Sequence, residues 1–506
     1  MPTEAQALAE LRAAILRGDL AGAERVANAG LREHPQSLEL RRALAGIVRQ
    51  GGRDAEAETW LRDVLATDPR DVPSAFTLAE IHIQHGRLGA AARVLRTCFE
   101  GGTHEANLSI RAIEMLADAQ RQADAAVIAE VALATHPDDA RLHAYAGMLH
   151  VQTGQFALAR EHYLFALAHD ARACEWNVPH GLAGAQRYTD AAHPDFALFG
   201  GCLARADLSD KARASLLFAI AKAHDDVGQQ AQAADFLRQG NALAQAASNW
   251  SRKNWKRAVE SRLSRKPLAH RIEPPDFVPV FIVGMPRSGT TLLADLLGRY
   301  PRVCNRGELP WLARLAAHPA LAGNPAPAAL RSAAATYAAQ WRQDDFGDAH
   351  WFIDKQPLNF RYVDLMLALY PNARILVCRR DPRDTALSLW SQLFMEDVQG
   401  YAYAFDDIAL VMRDAERLLA HWAEHFAASM REVRYEDMAT RPEHVVDGVA
   451  RWLGFPADAR PAVQSPDHAI ATASLWQVRQ PVYTRSIGRW RAYAPFVPEL
   501  AKLASG

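Results

Sequence analysis

The residues best suited to chemistry fall in short runs, the clearest lying in VPVFIVGMPRSGTTLL, from Val278 to Leu293. An apolar, β-branched run meets a Gly/Pro/Ser/Gly turn, and a Thr-Thr pair then opens an amphipathic run. That order predicts strand, loop and helix. Such a loop turns successive backbone N–H groups inward at a helix N-terminus, which suits phosphate or a similar oxyanion. Arg287 places a cation inside the same loop. The spacing of Gly284 and Gly289 matches the phosphate loop GxxxxGK[ST], but Thr290 stands where the lysine belongs. A kinase or NTPase needs that lysine and usually a carboxylate-held magnesium ion. The nearest run to a magnesium carboxylate is FIDK, whose Asp354 is followed directly by Lys355. The residues therefore predict an oxyanion held by arginine and backbone, without a metal.

Two further polar runs follow apolar ones: Asp354-Lys355 after WFI, and Arg379-Arg380-Asp381-Pro382-Arg383 after RILVC. Each has an ordinary reading. Arg383 can pair with Asp381 or Asp384 at a helix start, Tyr435 can be a core aromatic, and Glu308 a capping carboxylate. Their relative placement favours a shared site. Strands are expected at the Val278 run, Trp351–Ile353, Arg374–Cys378 and Glu432–Tyr435, with helical stretches such as NFRYVDLMLALY and TALSLWSQLF between them. This alternation predicts an α/β, P-loop-like domain with a mostly parallel sheet and a site at the carboxyl ends of its strands.

On these motifs a resemblance rests. VGMPRSGTTLL, with CRRDPRDTALSLW about ninety residues later, resembles the two phosphosulfate-binding signatures of sulfotransferases that use 3′-phosphoadenosine 5′-phosphosulfate (PAPS). The domain is similar, more closely, to the tyrosylprotein sulfotransferases and related bacterial enzymes carrying tetratricopeptide repeats, over roughly residues 276–490. The resemblance implies that Arg287, Ser288, Gly289, Thr290 and Thr291 wrap the 5′-phosphosulfate, that Arg380 and Ser388 hold the 3′-phosphate, and that Tyr435 lines the nucleotide pocket. It also implies Glu308 as catalytic base, Lys355 at the bridging oxygen of the departing nucleotide with Ser474 assisting, and Arg489 closing over the phosphates in place of the family's lysine. Many sulfotransferases use histidine as base, so His318 and His350 are rivals to Glu308. The implied reaction is sulfuryl transfer from PAPS to an acceptor hydroxyl of a peptidyl tyrosine, sugar or small metabolite, releasing adenosine 3′,5′-bisphosphate, with no metal. The alternatives are a P-loop kinase and a scaffold with an inactive nucleotide-binding domain. The family's animal members are membrane-anchored and disulfide-bearing; this sequence predicts neither.

In the N-terminal half, Gly18, Gly52, Gly86 and Gly154 fall on a 34-residue ruler, with Gln120 in the remaining slot. Pro35, Pro69 and Pro137 keep the same period, and so do Ala23, Ala57, Ala91, Ala125 and Ala159. Glycine permits the turn between paired helices, alanine lets them approach closely, and proline closes each unit. The pattern resembles the tetratricopeptide repeat in five units over about residues 4–173, with a further unit around Gly228 ending near residue 248. Residues 174–215 break the ruler. The expected organisation is an all-α repeat solenoid (1–250), a basic, proline-bearing linker (251–275) and the sulfotransferase domain (276–506). A solenoid of this kind suits a bound peptide or protein, packing against the second domain, or pairing of two chains in a homodimer.

Composition limits the rest. The 506 residues are 49% apolar and 23% charged, with a net charge of −1, so no bulk field recruits nucleic acid or an anionic membrane. The five scattered cysteines predict neither a disulfide framework nor a zinc site, and point to a reducing cytosol. The first twenty residues lack the apolar core of a signal peptide.

Overall fold

The structure, a computed structural model, describes residues 2–265, 268, 272–343, 347–394, 397–456, 458–459, 461–462 and 483–503. The chain divides into two compact units, one built on residues up to Tyr145 and the other on those from Ala146 onward. No described helix is long and apolar enough to cross a membrane.

The first unit consists of helix pairs with the expected period: Glu4–Leu16 with Leu20–Glu33, Leu38–Gln50 with Asp54–Thr67, Val72–Gln84 with Leu88–Glu100, and Ala106–Asp118 with Gln122–Thr135. Between the members of each pair the chain must pass through a left-handed residue, which glycine adopts at no Cβ cost. Gly18, Gly52 and Gly86 do so at φ 73°, 75° and 70°. Gln120 holds the same conformation at φ 58°, so the gap in the glycine ruler is chemical, not structural. Ala23, Ala57, Ala91 and Ala125 are fully buried. A fourth 34-residue series, hidden among polar residues and skipping Glu105, is made of N-caps. Ser37 accepts from Leu40 N (3.1 Å), Asp71 from Ser74 N (2.9 Å) and Asp139 from Leu142 N (3.3 Å), each satisfying an otherwise orphaned helix donor.

The second unit continues the helical series with Phe156–His169, Val178–Gly184, Pro194–Leu203, Asp210–Asp226, Gln230–Ala247 and Arg252–Leu263. Gly228, at φ 78°, turns the late pair predicted from its sequence. The cysteine expectation is corrected here: Cys174 and Cys202 form a disulfide with their Cα atoms 6.2 Å apart. The irregular stretch that breaks the repeat folds back to bring them together, which their 28-residue separation does not reveal. Cys98, Cys304 and Cys378 are buried, and no disulfide joins them.

The sheet has five strands: β1 Val278–Gly284, β2 Val303–Asn305, β3 Trp351–Asp354, β4 Arg374–Arg379 and β5 Met430–Arg434. Their order is β2-β3-β1-β4-β5, parallel at every pairing. Three-residue β2 escapes the sequence because an edge strand this short shows no periodicity. The expected strand at Glu432–Tyr435 ends one residue earlier, and Tyr435 instead opens the helix Tyr435–Thr440. β1 is apolar on both faces because both are covered. Phe281 and Val283 enter one core with Tyr337 and Trp341, while Val280 and Ile282 enter another with Leu293 and Val449. The first of these cores also takes in Phe218, Leu237 and Trp255, so the late helices share a hydrophobic core with the sheet domain. The expected linker thus begins as a packed helix, with Trp255 Nε1 donating to Asp414 (3.0 Å).

Candidate active site

Parallel pairing places the polar runs at one edge. Gly284, the last residue of β1, pairs with Cys378 near the end of β4, and Asp354 at the end of β3 pairs with Phe281. The loop leaving β1 is tightly packed. A Cβ on Gly284 would lie 2.5 Å from the Cys378 carbonyl oxygen, and one on Gly289 would lie 2.7 Å from the Tyr435 ring. Arg287 and Gly289 have φ of 70° and 95°, and a non-glycine residue in that region marks a constraint imposed by its surroundings. Ser288 is buried with its hydroxyl oxygen unpartnered, and Thr290 is buried in the first turn of the helix Thr290–Gly298.

The two sequence signatures interlock. Arg287 Nε donates to Ser388 Oγ (3.0 Å), and Arg380 Nη1 donates to the Arg287 carbonyl oxygen (2.8 Å). Arg380 Nη2 reaches the Ser486 carbonyl oxygen (2.7 Å), and its guanidinium lies 4.6 Å from the Tyr435 ring centre. Burial, with the like charge of Arg380 beside it, pushes the Arg287 guanidinium down to about 10, and burial also lowers Arg380. Two desolvated cations close together favour an anion between or beside them. Arg383 follows its ordinary reading, paired with Asp381 (2.7 Å), which also caps the helix Pro382–Trp390.

A second cluster stands at the ends of β2 and β3. Lys355 N donates to the Gly307 carbonyl oxygen (2.7 Å) and Leu309 N to Asp354 Oδ1 (3.3 Å). These two ties bracket Glu308, whose carboxylate forms an ion pair with Lys355. The Lys355 side chain is 4% exposed and that of Glu308 29%, so the pair has a buried and an open end. Asp354 is the pivot: it accepts from the Tyr337 hydroxyl, and burial raises its carboxyl to about 7. Among the rivals, His350 lies at the opposite edge of the sheet, its carbonyl oxygen accepting from Val278 N at the start of β1 (2.8 Å). His318 is occupied as a cap, accepting from Ala320 N (3.2 Å).

A cavity of about 540 Å³ opens beside the first cluster, lined by Arg287, Ser388, Tyr483 and Arg489, and by Lys222 and Asp225 of the helix Asp210–Asp226. Glu308 and Lys355 do not line it. Arg489 Nη2 donates to Asp225 Oδ2 (2.5 Å). Its neighbours are fixed as well: Gly488 N and Trp490 N donate to the two oxygens of buried Asp384 (2.6 and 2.9 Å). Asp225, Tyr483 and Ser486 are residues of this cluster that motif reading misses, and Asp384, expected as a partner for Arg383, instead holds the segment around Arg489. Only Asp384 carried a signal, as a carboxylate one turn past an arginine-rich strand end. Ser474 lies outside the described residues.

A five-stranded parallel sheet thus carries, at its carboxyl edge, a glycine-bearing loop with Arg287 inside it. Residues 279–459 match the sulfotransferase family, and residues 14–76 match the tetratricopeptide repeat. The chain thus combines tetratricopeptide repeats with a sulfotransferase domain. It is 25% identical over 530 residues to an uncharacterized protein of Aquifex aeolicus (strain VF5), covering 96% of this chain and 67% of that one. Among solved structures it is similar to the sulfotransferase domain of an olefin synthase from Synechococcus PCC 7002 (19% identity, 47% of this chain and 96% of that one, TM-score 0.33). A second is a sulfotransferase from Alicyclobacillus acidocaldarius (17% identity, 46% and 95%, TM-score 0.28).

Proposed function

We propose that the chain transfers a sulfuryl group from PAPS to an acceptor hydroxyl. The observation that carries this reading is the interlock of the two signatures, in which Arg287 meets Ser388 and Arg380 meets the Arg287 carbonyl. The loop and the Arg380–Ser388 segment then form one surface for two separate anionic groups, which PAPS has and ATP does not have in that arrangement. The unpartnered hydroxyl of Ser288 and the glycine-lined cradle fit such a ligand. Arg287, Ser288, Gly289, Thr290 and Thr291 would surround the 5′-phosphosulfate; Arg380 and Ser388 would take the 3′-phosphate through charge-assisted bonds, Tyr435 would line the nucleotide pocket, and Arg489 would close over the phosphates.

PAPS supplies the sulfuryl group already activated, so the protein's task is positioning and charge stabilisation. Glu308 accepts the proton of the acceptor hydroxyl as its oxygen bonds to sulfur. Lys355 meets the negative charge left on the bridging oxygen as the sulfur–oxygen bond to the nucleotide breaks. The ion pair supports the assignment by bringing these two side chains together at the carboxyl ends of β2 and β3.

Calorimetry tests the reading. Adenosine 3′,5′-bisphosphate is expected to bind in the presence of a chelator, and binding only to ATP with magnesium would overturn the proposal in favour of a kinase. Donor turnover across a panel of hydroxyl acceptors, absent with every one, would favour a scaffold.

A further inference from the structure

The late repeat helices contribute a carboxylate to the wall of the proposed donor site. We propose that Asp225 is a positioning residue for nucleotide binding, holding Arg489 at the cavity shared with Arg287 and Ser388. This inference rests on the sulfotransferase reading above.

Arg489 is fixed from two sides. Asp384 accepts from the backbone N–H groups immediately before and after it (2.6 and 2.9 Å), which orients the segment. Asp225 accepts from its guanidinium (2.5 Å), which orients the side chain. Asp225 is itself steadied, because its other oxygen accepts from the Tyr493 hydroxyl (2.6 Å). A long side chain carries substantial rotamer entropy, and ordering it before the ligand arrives lowers the cost of binding. The arrangement leaves a guanidinium with further donors at the cavity rim, since Asp225 and Tyr493 together engage only part of its five N–H groups. Arg238 also ties the late helices to the C-terminal segment, through Glu499 (2.9 Å) and the Phe496 carbonyl oxygen (3.1 Å), without engaging Arg489. The helices can therefore be loosened separately from the arginine.

The test is calorimetric titration of the full chain with adenosine 3′,5′-bisphosphate. Asp225→Asn is expected to weaken binding by roughly tenfold, Arg489→Ala by at least as much, and the double variant no more than Arg489→Ala alone. Asp225→Glu should restore most of the affinity, and Arg238→Ala should stay within about twofold of the parent chain. Unchanged affinity in Asp225→Asn overturns the inference. So do additive losses in the double variant, or an equal loss in Arg238→Ala, which would reduce Asp225 to a docking contact. If the parent chain binds no adenosine 3′,5′-bisphosphate, the donor reading itself fails, and that result is distinct from the others.

Discussion

Arg380 donates a hydrogen bond to the carbonyl oxygen of Arg287 (2.8 Å), joining two loops 93 residues apart in the chain. Its second terminal nitrogen engages the carbonyl oxygen of Ser486. Only a planar fork can reach both acceptors while stacking on Tyr435. Arg380→Lys keeps the charge and loses the fork, and is expected to weaken adenosine 3′,5′-bisphosphate binding about tenfold by calorimetry.

Gly289 combines a left-handed backbone with a site where a methyl group would lie 2.7 Å from the Tyr435 ring. Gly289→Ala should therefore cost roughly 1–3 kcal/mol in chemical denaturation and disturb the oxyanion loop. Nucleotide affinity should fall with stability.

Glu308 and Lys355 are assigned to chemistry, so their variants should separate binding from turnover. Glu308→Gln is expected to lower kcat by about 10²–10⁴-fold while leaving adenosine 3′,5′-bisphosphate affinity close to that of the parent. Lys355→Ala should also lower kcat, and additionally destabilise the fold because the buried lysine is truncated and Glu308 loses its ion-pair partner. Parent-like turnover in both variants would remove them from the mechanism.

Burial raises Asp354 to about 7, above the value of an unfolded aspartate near 3.9. The folded chain therefore keeps this proton through the interval from roughly pH 4 to pH 7, where the unfolded chain releases it. The contribution of Asp354 to stability is greatest below about pH 4, falls as pH rises through that window, and levels off above about pH 7. Denaturation at a series of pH values should show this decline, by up to about 4 kcal/mol, and it should be absent from Asp354→Asn.

Gln120 holds a left-handed conformation that glycine holds in the neighbouring repeats. Gln120→Gly is expected to stabilise the repeat unit by about 0.5–1 kcal/mol, and Gly52→Ala to destabilise it by a similar amount. Thermal unfolding would register both shifts with opposite signs.

The sequence by itself determined whatever depends on neighbours in the chain. The 34-residue ruler placed the helix pairs, because a left-handed turn and a small buried residue each impose a residue type at a fixed position. The run from Val278 to Leu293 announced strand, loop and helix for the same reason, and with no lysine at position 290 Arg287 is the cation inside the loop. Local order left other features unmarked. β2 is too short to show a period, and Tyr435 reads equally well as the last residue of a strand or the first of a helix. Tertiary structure alone decided that Cys174 meets Cys202, that Lys355 pairs with Glu308, that His350 sits at the far edge, and that Asp225 reaches Arg489 across 264 residues. Lys355 meets Glu308 through parallel crossovers, Asp225 meets Arg489 through the packing of late helices into the core of the sheet domain, and Cys174 meets Cys202 where the repeat is broken. Such contacts are set by the summed burial of many side chains, and no single residue along the chain carries their signal.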